Sequence, residues 1–451
     1  MITTTPFLHA KQTRLDLGHH TSARRQVAVL VSIVYWLLIL EGAVRKWALP
    51  ELHQVVFFVR DPFAIAALAL ALNARLVPLS RLLICALVLT VALVFLAGYQ
   101  VVSLGYSPVV AAYGLRNYCF YPLVALTAMT VLTRAELLTL VRGTLLFTVP
   151  MAALSVVQYL SPASAWINRS YGDEEAFTVA RGVVRTTGTF TFTAGMACFI
   201  AAGMACLAIA LHEQFRRRFL SPAVLVACAL GVTTCLAVSG SRTAFMHAAI
   251  IVVILIVLEF LVPPARRRWR MLIGIPVMLS LLVGFAAVTF PTALETLWER
   301  QTAAQESGED FLTRSVGLMG GGLTLLDRAQ PLGSGIGGLS VGGASLTGGQ
   351  AFAGGAENES ERVILELGLI FGPIYMLARW ALALWLLGAA VVRLRREDDA
   401  VPLMLWSVAG VMLVIGQATS QGTINGYTWL FTGFTIAALA TPPRSVPGDE
   451  P

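Results

Sequence analysis

Apolar stretches near twenty residues long recur along almost the whole of this 451-residue chain, and nothing else in it restricts the fold as strongly. A helix rises ~1.5 Å per residue, so ~20 residues cross the ~30 Å hydrocarbon core of a bilayer. The composition agrees: 57% of residues are apolar and 13% charged, where a soluble domain carries about 25% charged residues. A soluble chain of this length would show two or three domains with amphipathic helices instead. The expectation is an all-α integral membrane protein with about twelve transmembrane helices. They fall near 27–41, 54–72, 79–100, 116–132, 137–160, 188–211, 222–239, 244–262, 272–290, 362–390, 402–418 and 427–440.

Orientation follows from where the basic residues cluster. Arg75 and Arg81, Arg134 and Arg142, Arg216 to Arg218, Arg266 to Arg270, and Arg393 to Arg396 all fall in even-numbered loops. These lie on the same side as the basic N-terminus, which makes that side cytoplasmic. The predicted organisation is a cytoplasmic tail over 1–26, nine spans over 27–290, one large outer loop over 291–361, three spans over 362–440 and a cytoplasmic tail over 441–451. The first apolar run has no small-residue cleavage site after it and reads as a retained helix. The net charge of +7 is spread in short clusters between spans, so it points to membrane topology and not to nucleic acid. The six cysteines form no CxxC pair and the histidines no HxxH or HExxH spacing, so neither a metal nor a disulfide framework is expected.

The unusual residues gather on the outer side. The loop over 291–361 opens with an amphipathic stretch, TALETLWERQ, and has a second helical stretch at 310–328. It then runs through PLGSGIGGLSVGGASLTGGQAFAGG, whose glycines allow backbone conformations and close approaches barred to other residues. No GxxxxGK[ST] is present, so this is not a nucleotide-binding loop. A structured lid is expected. Arg60, Arg116, Arg181, Arg185, Arg242, Arg314 and Arg362 face outward or sit just inside the bilayer, where a charge costs about 3 kcal/mol or more unless it is paired or reaches water. As a set they suggest a polyanion at the outer leaflet, because the planar guanidinium donates two hydrogen bonds to a phosphate and stays charged. Glu359, Arg362 and Glu366 share a helix face and can pair. Glu357 and Glu361 have no local cation, and a carboxylate near bilayer depth can take a proton from a hydroxyl. His247, in the eighth segment beyond Arg242, is a reserve candidate for the same task.

The segment from Arg314 through PLGSGIG to ENESERVILELGLIFG resembles the O-antigen ligase and polymerase superfamily, as do SGSRTA at 239–244 and RTTGTF at 185–190. GLRNY at 114–118, EGAVRKW at 41–47 and VRDP at 59–62 are similar to features of its exopolysaccharide-associated branch. The resemblance runs from residue 41 to about 372 and implies a glycosyltransferase of the bacterial inner membrane that needs no metal, nucleotide or other cofactor. Its implied donor is a polyprenyl-pyrophosphate-linked glycan at the periplasmic face, with the lipid bilayer, a chain-length regulator and a flippase as further partners. Arg242 and Arg314 take the positions that hold the pyrophosphate. The Glu357–Asn358 step stands where a ligase has the His that activates the acceptor, a departure that tilts the expectation toward polymerising repeat units. Arg60, Arg116, Arg185, Arg362, Asn358, Gly335 and Gly337 are the implied substrate-binding set. The alternatives are a ligase acting on finished glycan, and, from another class, a secondary transporter or flippase. Arg379, deep in the tenth segment with Glu41 as its partner, is the best feature for transport. Against it, the chain has no internal repeat, and one large loop breaks two-fold symmetry.

Overall fold

The computed structural model describes residues 17–170, 182–216, 218–261, 280–306, 317, 320–346, 356 and 358–441. Every regular element among them is a helix. The first, α1 (Leu17–Ala43), ends in a π-turn (Val44–Ala48). Then come α2 (Arg60–Asn73), α3 (Arg81–Leu104), a rod α4 built of Pro108–Leu115, a π-turn Arg116–Phe120 and Tyr121–Val131, and α5 (Arg134–Leu160). After these follow α6 (Thr193–Arg216), α7 (Pro222–Val238), α8 (Arg242–Leu261), α9 (Ser280–Thr289), α10 (Pro291–Glu306), α11 (Glu359–Glu397), α12 (Val401–Ile415) and α13 (Gly422–Ala440). Six helical stretches, Thr21–Ala48, Pro50–Asn73, Arg81–Leu104, Arg134–Leu160, Thr193–Gln214 and Glu359–Glu397, are long and apolar enough to cross a membrane. The architecture is that of an α-helical membrane protein.

Local chemistry sets several of the boundaries. Ser80 caps α3 by accepting from Leu83 N at 3.2 Å, and Gly105 ends it in the left-handed region at φ 67°. Thr133 and Glu136 form a capping box at the start of α5. Within α13, the hydroxyls of Thr428, Thr432 and Thr435 each donate to the carbonyl four residues back, so they are satisfied in an apolar interior. The main core gathers α1, α5, α6, α12 and α13, whereas α3 exposes most of its length. An apolar rim on a helix of this kind suits contact with lipid.

Two groups of long-range polar contacts lie toward opposite ends of the bundle, with others, such as Tyr35 to Thr144, between them. One joins Arg24 to Glu136 at 2.8 Å, Arg134 to Asp399 at 2.6 Å and Arg134 to Glu213 at 3.1 Å. The other joins the end of α1 to the segment before α6, through Thr189 Oγ1 donating to Ile39 O at 2.6 Å, and the π-turn of α4, by way of Thr419, to the start of α11. Each contact pairs loops that the sequence reading puts on the same side.

The tenth apolar segment is not one straight rod. Residues twenty apart on a continuous helix lie about 30 Å apart, yet Arg379 Nη1 meets Glu359 Oε1 at 2.6 Å. The chain breaks at Gly368 (φ 80°, ψ −178°), so a short limb over 359–367 folds back against a long limb over 369–397. A Cβ on Gly372 would stand 2.9 Å from Ile364 Cα, which shows how tightly the two limbs pack. The PLGSGIG segment fills the break. Leu369 N and Ile370 N donate to Gln330 O and Pro331 O, and Ser334 N donates to Leu365 O. Gln100, the one fully buried polar side chain of α3, donates to Leu332 O (2.8 Å) and Glu366 O (2.9 Å) and accepts from Ile336 N (2.8 Å). Irregular backbone inside a bundle is tolerated when its polar groups are paired in this way.

Candidate functional site

At the end that carries the 320–346 segment, a connected layer of polar side chains crosses the bundle. Arg60 and Glu41 stand 2.6 Å apart with side-chain exposures of 0% and 4%. The contact is close but not aligned as a hydrogen bond, and Arg60 Nη2 has no hydrogen-bond partner among the described residues. The next residue, Asp61, takes a fork from Arg116, Nε to Oδ2 at 2.6 Å and Nη2 to Oδ1 at 2.9 Å. The rings of Phe57, Phe58, Tyr113 and Tyr121 surround that guanidinium. Arg116 Nη1 donates to Asn117 Oδ1 at 3.0 Å, and Asn117 Nδ2 to Thr419 O at 3.0 Å. Thr419 in turn donates to Glu359 through its backbone N (2.9 Å) and hydroxyl (3.1 Å).

Glu359 is the hub. It holds Arg362 at 3.1 Å and Arg379 at 2.6 Å. Arg379 also donates to Leu413 O, Met412 O and Gly416 O. These lie at the end of α12, where a cation complements the helix dipole. Glu366 takes Tyr118 OH and Leu339 N, both at 2.8 Å. The layer thus contains four carboxylates (Glu41, Asp61, Glu359, Glu366) and four guanidinium groups (Arg60, Arg116, Arg362, Arg379). Buried charges persist only when paired, and here the pairing is internal and the signs are equal in number. Its physical effect is to lock α1, α2, α4, α11 and α13 together.

This bears on several sequence-predicted residues. Arg60, Arg116 and Arg362 are each committed to a carboxylate of the protein. The pair expected between Glu359 and Arg362 forms, whereas Glu366 turns to Tyr118. Arg379 meets Glu359 and not Glu41, because the fold at Gly368 brings the start of α11 beside it. Arg116 lies about 12 Å inside, because its rod begins at Pro108 rather than at Arg116 itself. Gly335 and Gly337 have φ of 144° and 84°, and a Cβ there would strike the Tyr106 ring at 2.3 Å and Gly114 Cα at 2.5 Å. The close approaches that these glycines permit are made to the protein. Asn358 stands at the start of α11, where Glu361 accepts its backbone N at 3.2 Å and its Nδ2 at 2.9 Å. Arg314, Glu357 and Arg181 lie outside the described residues.

A second region at the same end is built around RTTGTF. Lys46, 1% exposed, donates from Nζ to Gly188 O at 2.7 Å and Thr187 Oγ1 at 3.0 Å, and lies 4.5 Å from the Trp47 ring centroid. Gln158 brackets Gly188 through its N (2.8 Å) and its O (3.1 Å). Gly42 lets α1 approach, since a Cβ there would meet Thr189 O at 2.4 Å. Thr186 Oγ1 then donates to Val238 O at 3.1 Å, which ties the segment carrying Arg185 to the turn that leads into Arg242. Both arginines are half-buried and have interactions of their own. Two sequence-predicted cations therefore sit on joined segments, one of which Lys46 holds at Thr187 and Gly188. Lys46 was legible only as one of two lysines in an arginine-rich chain. Gln100, a lone amide in an apolar run, carried the better signal.

Comparisons with protein families, with curated proteins and with solved structures find no match for this chain.

Proposed function

We propose that this chain is a glycosyltransferase of the bacterial inner membrane, with twelve spans and both ends in the cytoplasm. It takes a glycan from a polyprenyl-pyrophosphate carrier at the periplasmic face and joins it to a second repeat unit. The observation that carries the reading is the junction of the Arg185 segment with the turn before Arg242, in a segment that the buried Lys46 also holds at Gly188. Alternation of the two polar ends supports the twelve-span thread, and the motifs that resemble the O-antigen ligase and polymerase superfamily supply the chemistry.

In this reading Arg242 and Arg314 neutralise the pyrophosphate, which makes it a good leaving group as charge develops on it. The acceptor hydroxyl attacks the anomeric carbon from the opposite face, with inversion, and gives its proton to a base on the protein. Glu357, in the Glu357–Asn358 step, is the candidate for that base. The charge-balanced layer holds the short limb of α11, and with it Asn358, in a fixed place. Preorganised geometry of this kind lowers a barrier by avoiding reorganisation during the reaction.

Arg242→Ala and Arg314→Ala test the clamp. Each is expected to abolish glycan assembly while the protein stays at its normal level in the membrane. Normal polymer from either variant would count heavily against it. Transfer of finished chains to another acceptor, as in a ligase, would show as accumulation of long lipid-linked chains when the protein is absent.

A further inference from the structure

Trp166 has no part in the chemistry proposed above, yet the chain holds it firmly at the surface. It is 57% exposed, on the short link over 161–170 that follows α5. The buried amide of Asn168 closes that link, with Nδ2 at 3.0 Å from Gln158 O, 3.1 Å from Ser161 O and 2.9 Å from Pro162 O. Trp166–Asn168 form a single 3-10 turn. Gln158 Nε2 donates to Ile167 O at 3.1 Å, and Ser170 Oγ to Thr191 O at 3.2 Å. Trp166 packs on Trp47, with ring centroids 5.8 Å apart and planes 33° from parallel. The buried ammonium of Lys46 lies 4.5 Å from the Trp47 centroid. Gln158 and Lys46 are also the two side chains that hold Gly188 of the RTTGTF segment. The exposed indole is therefore fastened to the segment that carries Arg185 and, through Thr186, to the turn before Arg242.

We infer that Trp166, resting on Trp47, is a stacking platform for a pyranose ring of the lipid-linked glycan, an assignment that rests on the glycosyltransferase reading above. A pyranose turns a set of C–H bonds to one side, and their positive edge suits the negative face of an indole. The rigid ring gives a large contact at little cost in conformational freedom. The other occupant open to a surface indole of a membrane protein is the lipid headgroup layer. Two features favour the sugar. The exposed residues of SPASAWINRS are Pro162, Ser164, Trp166 and Arg169, with no large aliphatic side chain among them. Ser164 and Arg169 offer polar partners to the hydroxyl groups of a sugar, whereas the lipid-facing character of α5 ends at Leu160, 75% exposed. The second feature is the shared anchoring, since Gln158 and Lys46 keep the platform and the Arg185 segment in one fixed relation. Such a platform holds substrate and transition state alike, so its loss raises KM and leaves kcat in place.

The test uses the full-length chain in lipid nanodiscs, with the lipid-linked repeat units extracted from cells lacking the protein as substrate. Trp166→Ala, Trp166→Leu and Trp166→Tyr are compared with wild type at matched protein levels. The alanine and leucine variants are each expected to raise KM about tenfold or more with kcat within about threefold of wild type. The tyrosine variant, which keeps a ring face, should stay within about threefold in both. Leucine preserves apolar contact with lipid and removes the stacking face. A leucine variant equal to wild type therefore assigns Trp166 to the membrane interface and overturns the proposal. A wild-type KM in the alanine variant, a loss confined to kcat, or a tyrosine variant as impaired as alanine also overturns it, and leaves the transferase reading standing. A wild-type chain that does not turn over these units overturns that reading, and this one with it.

Discussion

Glu359→Gln keeps the volume of the buried hub and removes its charge. Arg379 and Arg362, both nearly sealed from solvent, then face a neutral amide, and one Gln atom is a donor where two guanidinium groups and Thr419 all donate. Breaking one side of a buried ion pair costs about 3–5 kcal/mol. Arg379 keeps its three carbonyl partners, which places the expected loss at the lower end, about 3 kcal/mol. That is roughly a 150-fold change in the ratio of folded to unfolded protein. At about 2 °C per kcal/mol for a large domain, the melting temperature falls by about 6 °C. Unfolding in detergent is irreversible, so variants are compared at one scan rate, by tryptophan fluorescence, in one detergent. The double variant Glu359→Gln/Arg379→Met removes the stranded charge and should recover part of the loss, as coupled neighbours do. A single variant melting within 1 °C of wild type, or a double variant no more stable than the single, refutes the hub.

Gly368→Ala should lower membrane abundance and cost at least about 2 kcal/mol, because the residue sits at φ 80° and its Cβ would stand 2.3 Å from Gly333 N and 2.4 Å from Pro331 O. Gly388→Ala, in open space on the same helix, should melt at or slightly above wild type, by up to about 1 kcal/mol; equal losses in the two would remove the case for the break. Gln100→Leu strands Leu332 O, Glu366 O and Ile336 N, each worth about 1–3 kcal/mol when left unpaired, and should raise protease cleavage of the 331–346 segment in spheroplasts. Arg116→Lys loses the fork to Asp61 and should destabilise by about 1.5–3 kcal/mol, which a melting temperature matching wild type would contradict.

The helical membrane character was legible in the sequence because length and hydropathy alone decide whether a helix can cross a bilayer, and six of the expected spans meet that measure. What the sequence hid was where they bend and what their charges meet. LELGLIFG reads as uninterrupted apolar helix, and only the docked 330–337 segment explains why the chain can break at Gly368 without leaving backbone groups unpaired. The fourth rod starts at Pro108 and not at the expected 116, and Arg116 and Asn117, which the sequence reading put at its first turn, lie in a π-turn in its middle. Among the candidate residues, the Glu359–Arg362 pair was visible as an i, i+3 spacing. Glu41–Arg60, Asp61–Arg116 and Glu359–Thr419 were not, since no local rule reports partners 19, 55 or 60 positions apart. The glycines of PLGSGIG announced unusual backbone, and they could not announce that Tyr106 and Gly114 are what they approach.

The central claim is that this chain consumes polyprenyl-pyrophosphate-linked glycan at the outer face. The profile of those lipid-linked glycans in cells lacking the protein tests it most directly. The proposed polymerase predicts accumulation of single repeat units, reversed by the wild-type chain and not by Arg242→Ala. An unchanged profile would contradict the account and turn attention to transport.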